Sequence, residues 1–380
     1  MSGMKETTGQ PGRIGGTGAP DLSIAQHGKG AFAAMETAFA KAAFNNPNDV
    51  CEAQYRFADL KVRVRIVGRE LAQHFRRPIA HLEASGAPPS ATQLAIDLWD
   101  EQDSGIPCPV VPAHDHIGST WDVGNGILTA SADGRFVGHG LRQSRTWLDR
   151  KAQHVVGWTV SSKALSLYER GKPLLLLLSL WYHDRDMRVI HSGLVSRNGR
   201  GVLFPGMGGS GKSTSTLACL VGGFDYLGDD YTGLQVLADG SFIGHSLYNS
   251  TWLEPDHMAH FPLLPPHAIR SSRPEENKCL VLLAPLFPKQ LPRSVPIRVL
   301  AIPRIVDAHT TRCRPASKVD ALLRLAPSSL LTLAPRPGVR DLQMLARLVE
   351  RVPSYWLELG RDLTEIPHRV DDLLAEVTRI

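Results

Sequence analysis

The stretch Gly206–Thr214, GMGGSGKST, constrains this chain more than any other part of it. Four glycines fall within six residues, a density that usually marks a loose turn. Here an apolar run, GVLFP, leads into the glycines, a lysine and hydroxyl residues close them, and the apolar-periodic run STSTLACLV follows. Three readings compete. A flexible surface turn has no use for Lys212 or Ser213. A dinucleotide fingerprint, G-x-G-x-x-G, is met by Gly206, Gly208 and Gly211, with Asp229 or Asp230 about 20 residues on to hold a ribose. That reading also leaves Lys212 and Ser213 idle. A phosphate-binding loop, G-x-x-x-x-G-K-[ST], uses Gly206, Gly211, Lys212 and Ser213 together.

The third reading has a physical basis at each position. Gly206, Gly208, Gly209 and Gly211, with Ser210 between them, let successive backbone N–H groups converge on phosphate oxygens with no Cβ in the way. The helix that begins at Lys212, Ser213 and Thr214 adds the positive end of its dipole. Lys212 is expected to bridge the β- and γ-phosphates of ATP, and the Ser213 hydroxyl to ligate Mg²⁺. Such a loop needs an acidic partner at the C-terminal end of a nearby strand, where open α/β sheets gather their ligands. FDYLGDDY supplies Asp229 and Asp230 there. One carboxylate of such a pair can bind Mg²⁺, directly or through water, and the other can accept a proton from an attacking hydroxyl. His191, on the strand before the glycines, is placed to tune a neighbouring carboxylate or phosphate.

The surrounding pattern gives two halves. Residues 1–29 are rich in Gly, Thr and Pro without period and are expected to be disordered. AFAAMETAFAKAAF, residues 31–44, has helical propensity. RFADLKVRVRIVG and QLAIDLWD alternate as strands, RELAQHF reads as a helix, and SSKALSLYERG as a short helix closed by Gly171. These make an expected α+β N-terminal domain over 30–185. From 186 to 380 the reading is α/β. MRVIHSGLVS and GVLFP form a hairpin around Asn198-Gly199, the glycine loop and its helix follow, and strands KCLVLLAPL and IRVLAIPRIV alternate with helices SKVDALLRLA and GVRDLQMLARLVERV.

Composition narrows the function classes. The chain has 380 residues, 43% hydrophobic and 21% charged, with a net charge of +5. That length suffices for two cored domains. The basic residues are scattered among acidic ones, so a nucleic-acid surface is not expected. The longest apolar run, PLLLLLSLW, is about half of the roughly 20 residues a membrane helix needs, so no membrane partner is expected either. Five cysteines without a C-x-x-C pair, and no secretory signal, fit reduced thiols in a cytoplasm. His114-Asp115-His116 lacks a third ligand at a diagnostic spacing for zinc.

Taken together, VIHSGLVSRNGRGVLFPGMGGSGKSTSTLACL and YLGDDY resemble the catalytic core of bacterial HPr kinase/phosphorylase and its serine-kinase-like relatives. More distantly they resemble ATP-dependent phosphoenolpyruvate carboxykinase. The similarity covers about residues 187–234, and the later segment VPSYWLELGRDLTEIP looks like HPr-kinase-related proteins encoded beside modified-peptide gene clusters. The resemblance implies a P-loop kinase domain of that type, ATP and Mg²⁺ as cofactors, and a peptide or protein partner with an acceptor serine. It also implies Asp229 as the base, Asp230 as its metal-side neighbour, His191 beside the base, and assembly into homo-oligomers. A cation is needed on the transferring phosphoryl group. Arg270, Arg273 and Lys278 are candidates, with Lys278 at a strand entrance preferred. Two other functions fit the same residues: a kinase for a small-molecule hydroxyl, and a regulator that binds ATP without an acceptor.

Overall fold

A computed structural model of the chain describes residues 22–84, 92–109, 119–122, 126–271, 277–331 and 338–377. It is a mixed α/β structure containing several sheets. The expectations at His114, His116 and Arg273 lie outside the described residues.

Among the described residues, eight strands of the first half form one sheet. They are β1 (Val50–Phe57), β2 (Leu60–Val67), β3 (Leu94–Asp100), β4 (Ser119–Asp122), β5 (Ile127–Ala130), β6 (Phe136–Gly140), β7 (Ser144–Asp149) and β8 (His154–Thr159). Their order is β1-β2-β3-β8-β7-β6-β5-β4. The stretch that reads as one alternating strand is two, because Ala58 turns the chain with φ 53° and pairs β1 against β2. Helix α1 (Leu22–Asn45) covers one face, burying Phe32, Met35 and Phe39 with Trp99, Phe136 and Trp147. The helix begins at Leu22, inside the residues 1–29 for which disorder is expected, and from Gly28 onward it lies on this sheet. The other face carries α2 (Arg69–Arg76) and α5 (Leu175–His183), with the short helix α4 (Leu167–Gly171) nearby; the short α3 (Glu101–Ser104) lies at the end of α1, where Asn46 Nδ2 donates to the Ser104 carbonyl. The leucine run is α5; nearly every residue is buried, which explains its lack of a polar face.

The second half is built on β9 (Met187–Arg197) and β10 (Arg200–Pro205), a hairpin turned by Asn198 at φ 52° and Gly199 at φ 71°. Helix α6 (Lys212–Val221) follows the glycine loop, then β11 (Asp225–Gly228) and β12 (Tyr231–Val236). Strand β13 (Phe242–His245) and the small pair β14 (Ser250–Leu253) and β15 (Cys279–Leu282) flank the short helix α7 (Pro255–Met258). Strands β16 (Ser294–Ile305), β17 (Arg312–Pro315) and β18 (Ser354–Leu359) and helices α8 (Lys318–Leu331), α9 (Val339–Arg351) and α10 (Glu365–Val377) complete it. Strand β10 runs parallel to β16, and β16 parallel to β18. Strand β9 serves three neighbours: its first half pairs with β12, its second with β10 on one side and β11 on the other. Helices α6 and α10 pack into one core layer, and α8 and α9 into another. The division brings the ends of β10 and β11 together beside the start of α6.

The halves meet along the segment after β13. Asn249 donates its N–H to the Pro78 carbonyl and its amide Nδ2 to the Arg77 carbonyl, each at 2.8 Å. The Tyr248 hydroxyl donates to the Pro173 carbonyl at 2.7 Å. His81 Nε2 lies 2.7 Å from Ser246 Oγ. Burial, reinforced by the Arg293 charge, pushes His81 down to about 3. The unfolded chain therefore takes up a proton near pH 6.5 that the folded chain refuses until about pH 3. Stability contributed here is complete above the unfolded value and declines as pH falls between those limits. His81→Gln keeps a side chain able to bond Ser246 and should flatten this acid-side loss, measured as urea unfolding free energy at pH 7 and pH 5.

Candidate functional site

The glycine loop joins β10 to α6 at the C-terminal end of the parallel strands. Gly206, Gly209 and Gly211 have φ of 153°, 78° and 100°. Gly211 has an additional reason to be glycine: a Cβ there would run into Leu359 Cδ1 at the end of β18. Nothing lies within 4 Å of where side chains at Gly208 or Gly209 would stand, so this side of the loop is open. The Ser210 N–H bonds back to the Met207 carbonyl at 3.3 Å. Among the described residues, the N–H groups of Gly208, Gly209, Gly211, Lys212, Ser213 and Thr214 donate to no main-chain acceptor. The Ser210 hydroxyl is buried without a partner among the described residues. Ser213 and Thr214, in the first turn of α6, are half-buried. Open space, unspent N–H donors, an orphaned hydroxyl and a helix N-terminus are the features an anionic ligand requires. The residues present therefore fit the phosphates of a nucleotide.

Lys212 is buried, and its ammonium donates to the carbonyls of Gly206 at 2.7 Å and Met207 at 2.9 Å. Burial lowers its pKa, the charges of Asp230 and Asp229 oppose that, and Lys278 and Lys172 add to the lowering. These groups thus share one electrostatic neighbourhood. Lys278 is exposed at the start of β15, close enough for its charge to act on Lys212. Arg270 is exposed in the preceding loop.

The two aspartates follow β11 and occupy different environments. Asp229 is buried. Its Oδ2 accepts from the Thr251 hydroxyl at 2.7 Å and from the Trp252 N–H at 3.4 Å. Burial raises its pKa and the neighbouring Asp230 charge raises it further, while Lys172 and the two hydrogen bonds pull it down. Asp230 goes the other way. Burial pushes its pKa up, but Lys172 and His191 outweigh that and hold it well below the usual carboxylate range. Lys172 bonds Oδ2, and His191 Nε2 lies 2.6 Å from Oδ1. The sequence reading gives Asp230 to a metal ion and His191 to the side of Asp229. In the structure His191 meets Asp230 instead, and both Asp230 oxygens are taken by nitrogen.

Three of the surrounding groups escape the sequence reading. Lys172 comes from the first half of the chain, just after α4, and is buried. Its ammonium sits over the rings of Tyr231 at 4.9 Å, Trp252 at 5.1 Å and Tyr168 at 5.6 Å. Tyr231 in turn stacks on His191, with ring centroids 5.3 Å apart. Thr251 and Trp252 are brought in by β14. The one trace in the sequence is Gly171. It reads as a helix stop, yet a Cβ there would stand 2.6 Å from Trp252 Cζ2, so the glycine lets α4 close onto β14 and carry Lys172 inward.

No family model matches the chain, and no curated protein matches it. Among solved structures, the Hpr(Ser) kinase/phosphatase from Coxiella burnetii is similar at 13% identity and a TM-score of 0.28, over 50% of this chain and 99% of that one. A likeness of that degree carries no functional argument. Among the described residues, no helix is long and apolar enough to cross a membrane.

Two outcomes follow from the opposed environments. A carboxylate whose folded pKa is raised binds its proton more tightly when folded, so its contribution to stability falls as pH rises above the unfolded value. Asp229→Asn keeps an oxygen for Thr251 and Trp252 and removes that charge. It should raise Tm at pH 7, with the gain vanishing at pH 3; every tenfold difference in proton affinity between folded and unfolded chain is worth about 1.4 kcal/mol. Lys172→Met leaves the Asp230 charge with His191 alone. It should lower the unfolding free energy at pH 7 by about 1–3 kcal/mol, read by chemical denaturation.

Proposed function

We propose that the chain is an ATP-dependent kinase that transfers the γ-phosphoryl group to a serine hydroxyl of a peptide or protein. On this reading residues 186–380 are a P-loop kinase domain of the HPr kinase and phosphoenolpyruvate carboxykinase type, and residues 30–185 a smaller α+β domain. The observation that carries the reading is the pairing of one buried carboxylate of raised pKa, Asp229, with a buried lysine, Lys212, beside a loop of unspent N–H groups.

The division of work follows from the environments. The N–H groups of Gly208, Gly209 and Gly211 to Thr214 would receive phosphate oxygens. Lys212 would exchange its two carbonyl bonds for the β- and γ-phosphates. Asp229 is the better base of the pair, since a raised pKa lies nearer the operating pH. It takes the proton of the acceptor hydroxyl as the oxygen becomes nucleophilic. Ser213 would hold Mg²⁺, and Asp230 would join it on giving up one of its two nitrogen partners. The ion supplies charge neutralisation on the phosphates when bound. Lys278 and Lys172 are the cations available to the transferring phosphoryl group. The closed Lys172–Asp230–His191 cluster also favours a second reading, an ATP-binding regulator that lacks turnover, because it leaves no carboxylate oxygen of Asp230 free.

Incubation with γ-labelled ATP, Mg²⁺ and an extract of the host separates the two. The kinase reading expects label on a peptide or protein. Asp229→Asn should reduce it by a factor on the order of 10²–10⁴ while still binding ATP, and Lys212→Ala should lose both label and binding. Full labelling by Asp229→Asn, or release of free phosphate alone, would overturn the kinase assignment. ATP binding without any turnover would select the regulator.

A further inference from the structure

A cavity of about 100 Å³ lies in the first half of the chain, between the sheet and the segment that carries α4 and α5. Its walls are mainly apolar, with Leu71, Phe75, Leu98, Leu165 and Trp158 among them. An apolar protein cavity of roughly 150 Å³ admits a benzene molecule; this one is smaller but opens to solvent on one side, so it seats a single ring with part of it in the mouth. Two polar atoms stand out against these walls. The Nε2 atoms of His74 and His139 are buried and lack a hydrogen-bond partner among the described residues. The nearest acid to His74, Glu70, is 3.7 Å away, too far for a hydrogen bond. Burial lowers the pKa of His74, with Arg170 adding to it, and pushes His139 down to about 4. Both rings are therefore neutral at pH 7, each able to give or take one hydrogen bond.

The cavity shares a wall with the candidate site. Lys172 lines it, and the same ammonium bonds Asp230. Leu174 lines it too and holds a left-handed backbone, φ 57°, that a branched residue seldom adopts. That turn sends Lys172 toward the aspartates and the leucines of α5 toward the cavity. Strained non-glycine residues concentrate where function over-determines the backbone.

We propose that this cavity is the acceptor pocket: it takes a phenol-sized ring bearing one hydrogen-bonding group, and Lys172 is the wall between that ring and Asp230. The acceptor role rests on the kinase reading above; the pocket itself does not. Such a ring comes either from a tyrosine side chain near the acceptor serine or from a small phenolic alcohol.

Fluorine NMR of 4-fluorophenol with the full chain, without ATP, tests the pocket. Saturable binding, displaced by unlabelled phenol, is expected for the native protein. Leu141 and Leu165 line the cavity and are partly exposed, so filling it there leaves the fold intact, checked by circular dichroism. Leu141→Trp and Leu165→Trp should each weaken binding at least tenfold. No saturable binding, or undiminished affinity in both folded variants, overturns the pocket. Displacement by a serine peptide containing tyrosine, but not by its alanine counterpart, identifies a peptide source. Displacement by tyrosol and by neither peptide identifies a small alcohol. Probe binding with no phosphoryl transfer to any acceptor would sink the kinase reading and leave the pocket standing.

Discussion

The arrangement around Asp230 is the interaction on which the site depends. A carboxylate in this position loses most of its hydration and is tolerable as a charge only when paired and hydrogen-bonded. Lys172 and His191 supply both partners, and they arrive from distant parts of the chain. Asp229 holds its proton more tightly because it is buried, and the secured anion on Asp230 beside it adds to that. Adjacent residues thus acquire opposite chemistry from burial on one side and pairing on the other, the separation that acid–base sites exploit.

The same pairing ties the two halves of the chain together. Hydrogen bonds from Tyr248 and Ser250 to the carbonyls of Pro173 and Gly171 hold the segment around Lys172 from both sides, each at 2.7 Å. Most of that junction is backbone to side chain, so its geometry is fixed by the course of the main chain rather than by long flexible groups. A lysine carried on such a segment arrives at Asp230 with little freedom left to lose.

Legibility in the sequence followed range. The glycine loop, its hairpin and α6 were readable because turn chemistry and apolar period act within a few residues: Asn198-Gly199 makes the turn, and Gly222-Gly223 ends the helix. The Asp229-Asp230 pair was locatable for the same reason. Its inequality was not, since the difference is made by the burial of Asp229 and by Lys172 and His191 beside Asp230, which only the tertiary fold brings together. The start of α1 was misread because glycine-rich, weakly periodic sequence says nothing of a sheet waiting to be covered. The eight-stranded sheet was legible only in part: LKVRVRIVG and QLAIDLWD alternate as strands, but the turn at Ala58 that splits β1 from β2, and the order in which β8 lies between β3 and β7, were not.

The two carbonyls that hold Lys212 carry a consequence for what the loop can accept. With its ammonium already bonded to Gly206 and Met207, the lysine is satisfied within the loop, and an incoming anion that recruits it must compete with bonds that are in place. Chloride or a lone carboxylate returns too little charge and too few acceptors to displace them. A polyphosphate returns several oxygens at once, to the lysine and to the unspent N–H groups together. On the proposed kinase reading the resting lysine is a threshold, selecting for ligands by the number of contacts they replace at one time.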